Sequence, residues 1–431
     1  MTNSINKNNS SDNIPTLRFP EFSGVWEKKK FNQIYLFYST NSFSRDNLNY
    51  ENGNVLNIHY GDIHTKFSSL FDINNEIVPF INNEIDLTKI KEENYCKEGD
   101  LVVADASEDY NDIGKTIEIV NLNNKKVLAG LHTFLARPNK TKMALGFSGY
   151  LLKSWSVKKQ VMTIAQGSKV LSLSTGRLGE VELNLPTLPE QQKIATFLTA
   201  VDSKIEFLQK KKSLLEQYKK GVMQQLFTSP LEREQRGVLR FKKEDGTNYP
   251  EWEEKKLGEV CEFSNGKGHE KIIDKNGKYV VVNSKFISTN GLIKKYCKSQ
   301  IFPLKKREIV MVMSDVPKGN ALAKCFLIDE DDKYTLNQRI CVIREKKSNN
   351  EFLIYILNRN RYYLSFDSGV GQTNLKKEEV LNCPLFIPTS LEEQTQIANF
   401  LSAIDVKIDN CKLEIENYSK WKKGLLQQLF V

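Results

Sequence analysis

The stretch from Glu190 to Phe227, EQQKIATFLTAVDSKIEFLQKKKSLLEQYKKGVMQQLF, returns between Glu393 and Phe430 as EQTQIANFLSAIDVKIDNCKLEIENYSKWKKGLLQQLF. A constant shift of 203 residues superimposes the two without a gap. Ile194-Ala195 falls on Ile397-Ala398, Phe197-Leu198 on Phe400-Leu401, Asp202 on Asp405 and Gly221 on Gly424. Apolar residues in the first copy stand at Ile194, Leu198, Val201, Ile205, Leu208, Leu215, Val222 and Leu226. In the second they stand at Ile397, Leu401, Ile404, Ile408, Cys411, Ile415, Tyr418, Leu425 and Leu429. Steps of three and four sustained over several heptads describe a coiled-coil seam. At about 1.5 Å per residue each helix is roughly 55 Å long. An amphipathic helix of that length needs a partner, and its own copy is the obvious one. An antiparallel pair would set the material before each helix at opposite ends. Lys212, Lys219 and Lys422 interrupt the seam, which predicts looser packing there or use of the lysine stems.

The repetition extends outward from the helices. Leu17-Arg18-Phe19 recurs as Leu239-Arg240-Phe241, and Trp26-Glu27-Lys28-Lys29-Lys30-Phe31 as Trp252-Glu253-Glu254-Lys255-Lys256-Leu257. Gly99–Val103 is echoed by Arg307–Met311, and Leu131–Arg137 by Gln338–Arg344. Gly167 and Leu171 fall against Gly371 and Leu375. The chain therefore reads as domain, helix, domain, helix. The expected limits are a disordered lead over 1–14, a first globular domain over 15–187 and a helix over 188–228. A second domain over 229–388 and a second helix over 389–431 follow.

Within each domain short β-branched runs such as Ile117–Val120, Tyr279–Val282 and Ile340–Ile343 predict strands, and Glu351–Arg361 predicts a helix. Asn52-Gly53 and Asn290-Gly291 are hairpin-turn dipeptides. The expected class is α+β: two domains with mostly antiparallel sheets, and two long antiparallel helices in a pseudo-two-fold repeat.

Composition sets bounds on function. The chain of 431 residues is 40% hydrophobic and 27% charged, the balance of a soluble globular protein. Its apolar runs are too short for a membrane span and its Asn/Ser-rich start is unlike a signal peptide, so a cytoplasmic protein is expected. Seven scattered cysteines suit reduced thiols. With four histidines and no regular ligand spacing, no metal is expected. A net charge of +9, carried largely by lysine clusters, is compatible with a polyanion.

Catalytic signatures are missing throughout. Asn382-Cys383-Pro384-Leu385-Phe386 lacks the paired prolines of an amino-methyltransferase loop. Gly114-Lys115-Thr116 has Asp109 where a phosphate-cradling loop needs glycine. Gly369-Val370-Gly371 lacks the third glycine of a dinucleotide site. No Ser-His-Asp or Cys-His arrangement stands out. The chain reads as a binder rather than a catalyst.

Taken together, these features resemble the specificity subunit of type I restriction-modification systems, over nearly the whole chain from Leu17 to Phe430. The helix starts Leu188–Ala195 and Leu391–Ala398, and the ends Lys219–Phe227 and Lys422–Phe430, carry most of the resemblance. One departure is Pro189 against Glu392; either residue suits a helix start. By resemblance, each domain is a target-recognition domain for one half of a bipartite double-stranded DNA site. The helices would fix the unread spacer and dock two modification (methyltransferase) subunits, with restriction (translocase/endonuclease) subunits completing the complex. No cofactor is expected in this chain; S-adenosylmethionine, ATP and Mg would belong to the partner subunits.

Base reading requires Arg, Lys, Asn, Gln, Ser or Thr side chains on polar loops. The candidates are Tyr60, Lys66, His132, Ser168 and Lys169 in the first domain. In the second they are Lys285, Lys318, Asn337, Arg339, Gln372, Thr373 and Asn374. Leu226, Phe227, Leu429 and Phe430, at the helix ends, are the candidates for partner docking. The competing readings are a coiled-coil adaptor that binds no DNA and the targeting half of a fused restriction-modification enzyme. Lengthening the first helix by a heptad, or inserting a short repeat near Phe227–Arg236, should lengthen the spacer and leave both half-sites unchanged.

Overall fold

The computed structural model describes residues 13–227, 239–316 and 319–431. Nearly all of the expected lead segment, most of the Phe227–Arg236 connector and Lys318 lie outside the described residues. Two compact units emerge: one from Met1–Lys210 with Lys412–Val431, the other from Lys211–Cys411. Each unit thus owns part of both long helices, Leu188–Leu226 and Leu391–Gln428.

In unit one a five-stranded sheet runs in the order Tyr35–Tyr38, Thr133–Pro138, Leu101–Ala104, Thr116–Asn121, Leu70–Asp72. Its central strand Leu101–Ala104 is buried on both faces, and period-two geometry divides it. Leu101 and Val103 face the core that holds Ile194, Leu198 and Val201 of the helix, while Val102 and Ala104 face a second core with Ile58, Ile63 and Ile117. That second core is covered by another sheet, in which Val55–Ile58 pairs in parallel with Lys126–Ala129. Its parallel pairing leaves room for the short helix Tyr60–Thr65 that follows the first strand.

Unit two repeats this plan. The strand Ile309–Val312 sends Ile309 and Met311 toward the helix-facing core and Val310 and Val312 toward the other. Tyr279–Val282 pairs in parallel with Tyr334–Leu336 and is followed by the short helix Ser284–Ser288. The sheets are thus mostly antiparallel, as expected, with a parallel pair at the same place in each unit.

Several local expectations are corrected. Asn290-Gly291 does not close a hairpin: it ends the Ser284–Ser288 helix with both residues left-handed (φ 50° and 79°) and Gly291 N–H bonded to Phe286 O at 2.9 Å. A left-handed glycine after a helix satisfies its last carbonyls, a role the dipeptide fills as well as a hairpin turn. Asn52-Gly53 joins strands that do not pair with each other; both pair with Phe80–Ile81. The expected helix over Glu351–Arg361 splits into Asn350–Leu357 and Arg361–Leu364 at Arg359, which is left-handed (φ 57°).

The long helices begin alike. Glu190, in the first turn, is buried and accepts from Arg18 at 2.8 and 2.7 Å and from Trp26 Nε1 at 3.4 Å. Glu393 accepts from Trp252 Nε1 at 3.1 Å and from Arg240 at 3.5 Å. A carboxylate there also faces the positive end of the helix dipole. Gln191 and Gln394 follow, each bonded through its amide to a carbonyl just before its helix, Pro186 O at 2.9 Å and Pro388 O at 2.8 Å. The repeated Leu-Arg-Phe and tryptophan segments therefore exist to clamp the helix starts. Phe19 packs edge-on against Phe197, and Phe241 against Phe400, for the same purpose.

Within unit one the two helix segments run antiparallel: Phe197 meets Trp421, and Lys204 lies over Tyr418. The lysines of the seam are anchored rather than loosely packed. Lys422 pairs with Asp202, whose other oxygen accepts from Tyr150 Oη at 2.8 Å. In unit two Lys219 pairs with Asp405 at 2.5 Å, and Tyr355 Oη donates to the same carboxylate at 3.0 Å. Each lysine also lies over its tyrosine ring. Lys212 bonds along its own helix to Glu216 at 3.3 Å.

Candidate nucleic-acid interface

The candidate readers of unit one gather on three neighbouring elements. His59 caps the helix Tyr60–Thr65, its Nδ1 accepting from Gly61 N–H at 3.1 Å. Tyr60 is ringed by His59, His64 and His132, at 4.6, 6.1 and 5.3 Å between centroids. Burial and the nearby Arg45 depress the His59 pKa to about 4, so it stays neutral and keeps its capping role. Lys66, just past the helix, is exposed; it pairs with Asp62 at 3.0 Å and donates to Tyr50 Oη at 3.1 Å. Burial disfavours the Asp62 carboxylate, yet bonds from Arg45 and Lys66 outweigh it and bring its pKa below the ordinary range. His132 is exposed, with Nδ1 3.3 Å from Asp105 Oδ1. Burial raises the Asp105 pKa against the attraction of His132.

Ser168 and Lys169 lie in an exposed turn leading to Leu171–Ser172, which forms a two-stranded ribbon with Ala106–Ser107. His64 Nε2 lies 2.9 Å from Ala106 O, tying helix to ribbon.

Unit two carries the same three elements with different chemistry. Asn283 caps the helix Ser284–Ser288, from which Lys285 projects into solvent. Asn337 is half-buried; its N–H bonds to Val282 O at 3.1 Å, as Gly130 N–H bonds to Ile58 O at 2.9 Å. Arg339 is exposed, and its carbonyl accepts from Met313 N–H at 3.0 Å, as that of His132 accepts from Asp105 N–H at 3.1 Å. These bonds equate Arg339 with His132. Both are non-glycine residues in the left-handed region, φ 67° and 55°. Such a backbone costs about 1–2 kcal/mol in a residue with a Cβ, and it concentrates at functional positions.

Gln372 is exposed, and Thr373–Asn374 form a ribbon with Ser314–Asp315. The hydrogen bonds Leu173 N–H to Asp105 O and Leu375 N–H to Met313 O, both 2.8 Å, make Leu173 the counterpart of Leu375. Leu171, the match suggested by sequence, is two residues off.

Sequence reasoning missed Asp105 and Ser314, which face candidate readers across the fold and carry no local signature. It also missed Lys115 and Lys324, which bond the last carbonyls of the equivalent short helices, His64 O at 2.6 Å and Ser288 O at 2.8 Å. The helix-end residues require a correction. Leu226, Leu429 and Phe430 are buried in the cores of their own units, and Phe227 packs on Phe352 at 5.9 Å. Leu226, Leu429 and Phe430 thus spend their apolar surface within the chain, and Phe227 stays half-buried.

Among the described residues no group of three or more His, Cys, Asp or Glu is placed to hold a metal ion. The cysteines are buried, and burial raises the thiols of Cys261 and Cys383 to about 11 and of Cys341 to about 12, the opposite of a nucleophile.

A family model described as the type I restriction modification DNA specificity domain matches residues 26–217 and again 249–417. The chain belongs to this family. The two matches take in both units, so the structural repeat is a repeat of the specificity domain itself. The type I restriction enzyme MjaVIII specificity subunit of Methanocaldococcus jannaschii is 26% identical over 327 residues, 72% of this chain and 74% of the relative. The putative MjaX specificity subunit of the same organism is 28% identical over 373 residues, 81% and 84% of the two chains. The crystal structure of a type I restriction-modification S subunit from M. genitalium superimposes with a TM-score of 0.60 at 15% identity, covering 97% of this chain and 99% of that one. The specificity subunit is a non-catalytic component of its restriction-modification complex, in line with the absent catalytic motifs. Among the described residues no helix is long and apolar enough to cross a membrane.

Proposed function

We propose that this specificity subunit binds duplex DNA as a two-part reader, each unit reading one half of a bipartite site. The observation that carries this reading is the equivalence of His132 and Arg339. The same backbone frame holds both in a costly left-handed conformation and exposes them, while the side-chain chemistry differs. A constant frame with exchanged polar side chains is what two different half-sites require. Tyr60, Lys66, Ser168 and Lys169 accompany His132 on the first unit. Lys285, Asn337, Gln372, Thr373 and Asn374 accompany Arg339 on the second, and Lys318 is assigned to it from sequence. Lysines such as Lys66 and Lys285 suit phosphate contacts that fix register rather than sequence.

In the same reading the long helices set the spacing between half-sites and dock two modification subunits, and restriction subunits join to form the cleaving complex. Because the helix-end apolar side chains are internal, docking falls to side chains still exposed along the helices. Phe207, Leu214 and Tyr218 on the first, with Leu413 and Trp421 on the second, are each about half exposed. A coiled-coil adaptor without DNA affinity would have no use for two differently equipped polar frames.

The test is co-expression with a cognate modification subunit, followed by mapping of genomic methylation. A bipartite methylated motif that depends on this chain is the expected result. No such motif, or one that survives removal of the chain, overturns the reading.

A further inference from the structure

Ser314, a residue to which the sequence gives no role, sits between two amides of unit two. Gln372 Nε2 donates to its hydroxyl at 2.6 Å, and the hydroxyl donates to Asn374 Oδ1 at 2.6 Å. Ser314 is almost fully buried, whereas Gln372 and Asn374 are exposed. One internal hydroxyl therefore holds two surface amides in a fixed orientation across the ribbon.

The surrounding backbone is equally constrained. Asp315, beside Ser314, accepts from Ala321 N–H at 2.6 Å and Leu322 N–H at 3.0 Å. Asp367 accepts from Gly369 N–H at 2.9 Å and Thr373 Oγ1 at 3.0 Å, closing the loop that delivers Gln372. Gly371 is left-handed (φ 82°) with open space around it, so the turn brings the ribbon to solvent without a side chain in the way. On either side stand two apolar side chains that no core claims: Val370, 85% exposed, and Val316, 63% exposed.

These features match one kind of base pair. A carboxamide presents a donor and an acceptor to the N7 and N6 of adenine, while an apolar side chain meets the C5-methyl of thymine. A two-stranded ribbon is also a shape that the major groove admits. The hydrogen bonds to Ser314 remove the rotational freedom the amides would otherwise lose on binding, which is the advantage of preorganisation. Unit one lacks the device. Ala106, equivalent to Ser314, carries no hydroxyl, and it stands opposite Ser172, the counterpart of Asn374.

We infer that the ribbon Ser314–Asp315/Thr373–Asn374 reads an A·T pair in the half-site of unit two, with Gln372 and Asn374 contacting the adenine edge and Ser314 as their positioning residue. This rests on the two-part reading above and adds the base and the device.

The test uses the complete complex of this chain with its modification subunit, on a duplex bearing the wild-type motif and on duplexes with single A·T to G·C replacements. The readout is the ratio of affinities, motif over replaced duplex. With the wild-type chain one position in one half-site should discriminate roughly tenfold or more. In the double variant Gln372→Ala/Asn374→Ala that ratio should fall toward one, with the other half-site and the spacer unchanged. Ser314→Ala should lower the same ratio several-fold, and Ser314→Thr, which keeps the hydroxyl, should restore it. Thermal denaturation of each variant separates these effects from unfolding, since Gln372 and Asn374 are surface side chains. A double variant that retains every base preference overturns the inference, as does one that loses affinity equally for motif and replaced duplexes. So does Ser314→Thr behaving as Ser314→Ala in a folded chain. A wild-type complex without a bipartite motif overturns the two-part reading instead.

Discussion

Lys219 and Asp405 form an ion pair at 2.5 Å on the helix seam of unit two, with Tyr355 Oη on the second carboxylate oxygen. The shift of 203 residues that relates the helices turns this pair into Lys422 and Asp202, which are bonded in unit one with Tyr150 in the place of Tyr355. In each case burial raises the tyrosine pKa and the carboxylate beside it adds to the effect, so both phenols remain donors. A lysine that looks like a defect in an apolar seam is thus half of a specific contact, made once in each unit.

Removing the lysine alone should therefore cost more than an ordinary surface change. Lys219→Met leaves Asp405 half-covered beside a phenol, and a loss of about 1–2 kcal/mol is expected, with part of the cost screened by solvent. Lys422→Met should cost a similar amount through Asp202. The two losses should add, because the pairs share no partner. Urea denaturation of the single and double variants checks both the size and the additivity.

The left-handed backbone at His132 and Arg339 permits a separation of folding from reading. Glycine accepts φ near 60° without the Cβ penalty, whereas alanine does not. His132→Gly and Arg339→Gly should each be more stable than the matching alanine variant by about 1 kcal/mol in thermal or chemical denaturation. Both should lose discrimination in DNA binding, each in its own half-site. For Arg339 the expected loss is about 1–3 kcal/mol at one base pair, the range for an arginine contact with guanine. Glycine variants less stable than alanine would show that neither backbone is under strain.

Glu118 supplies a pH signature. It is buried on the strand Thr116–Asn121 and accepts from Gly146 N–H and Gly149 N–H, both at 2.7 Å. Burial outweighs those bonds and raises its pKa from 4.5 to about 7. A carboxyl whose folded pKa lies above its unfolded value binds a proton more tightly when folded. Its contribution is complete below about pH 4.5 and is lost as pH rises through about 7. Wild-type stability should fall by up to about 3 kcal/mol between pH 4.5 and 8 relative to Glu118→Gln, which cannot titrate. Denaturation curves of both proteins across that window test the sign. An equal pH dependence in the two would remove Glu118 as its source.

What the sequence disclosed and what it hid follow from the range of the forces involved. The long helices were legible because a seam repeats every three or four residues within one segment, and duplication presented it twice. The helix clamps were half legible: Leu17-Arg18-Phe19 and Trp26 recur, but their purpose, bonding Glu190, spans more than 160 residues. The ends of the helices misled, since Leu226 and Leu429 are as apolar as a docking face and are spent inside. Asn290-Gly291 announced a left-handed turn correctly and its setting wrongly, because helix ends and hairpins ask for the same dihedrals. His132 and Arg339 drew notice for their side chains alone; nothing in either residue type signals a positive φ. Ser314 was invisible, because its role arises from strands about sixty residues apart.

The ion pairs also decide how a spacer experiment must be built. The interval from Asp202 to Lys219 on the first helix equals the interval from Asp405 to Lys422 on the second, since both obey the same 203-residue shift. A heptad added to the first helix alone makes the intervals unequal, so the Lys219–Asp405 and Lys422–Asp202 bonds cannot both persist. Such a chain should be destabilised by about the cost of one pair, and its spacer should be poorly defined. Matched heptads, one between Lys210 and Lys211 and one between Cys411 and Lys412, keep both bonds and the seam in phase. Seven residues add about 10 Å of helix, or about three base pairs at 3.4 Å each. Methylation mapping with the doubly extended chain should therefore show both half-sites intact and a spacer longer by about three base pairs. Altered half-sites with an unchanged spacer would mean that the helices do not set the distance.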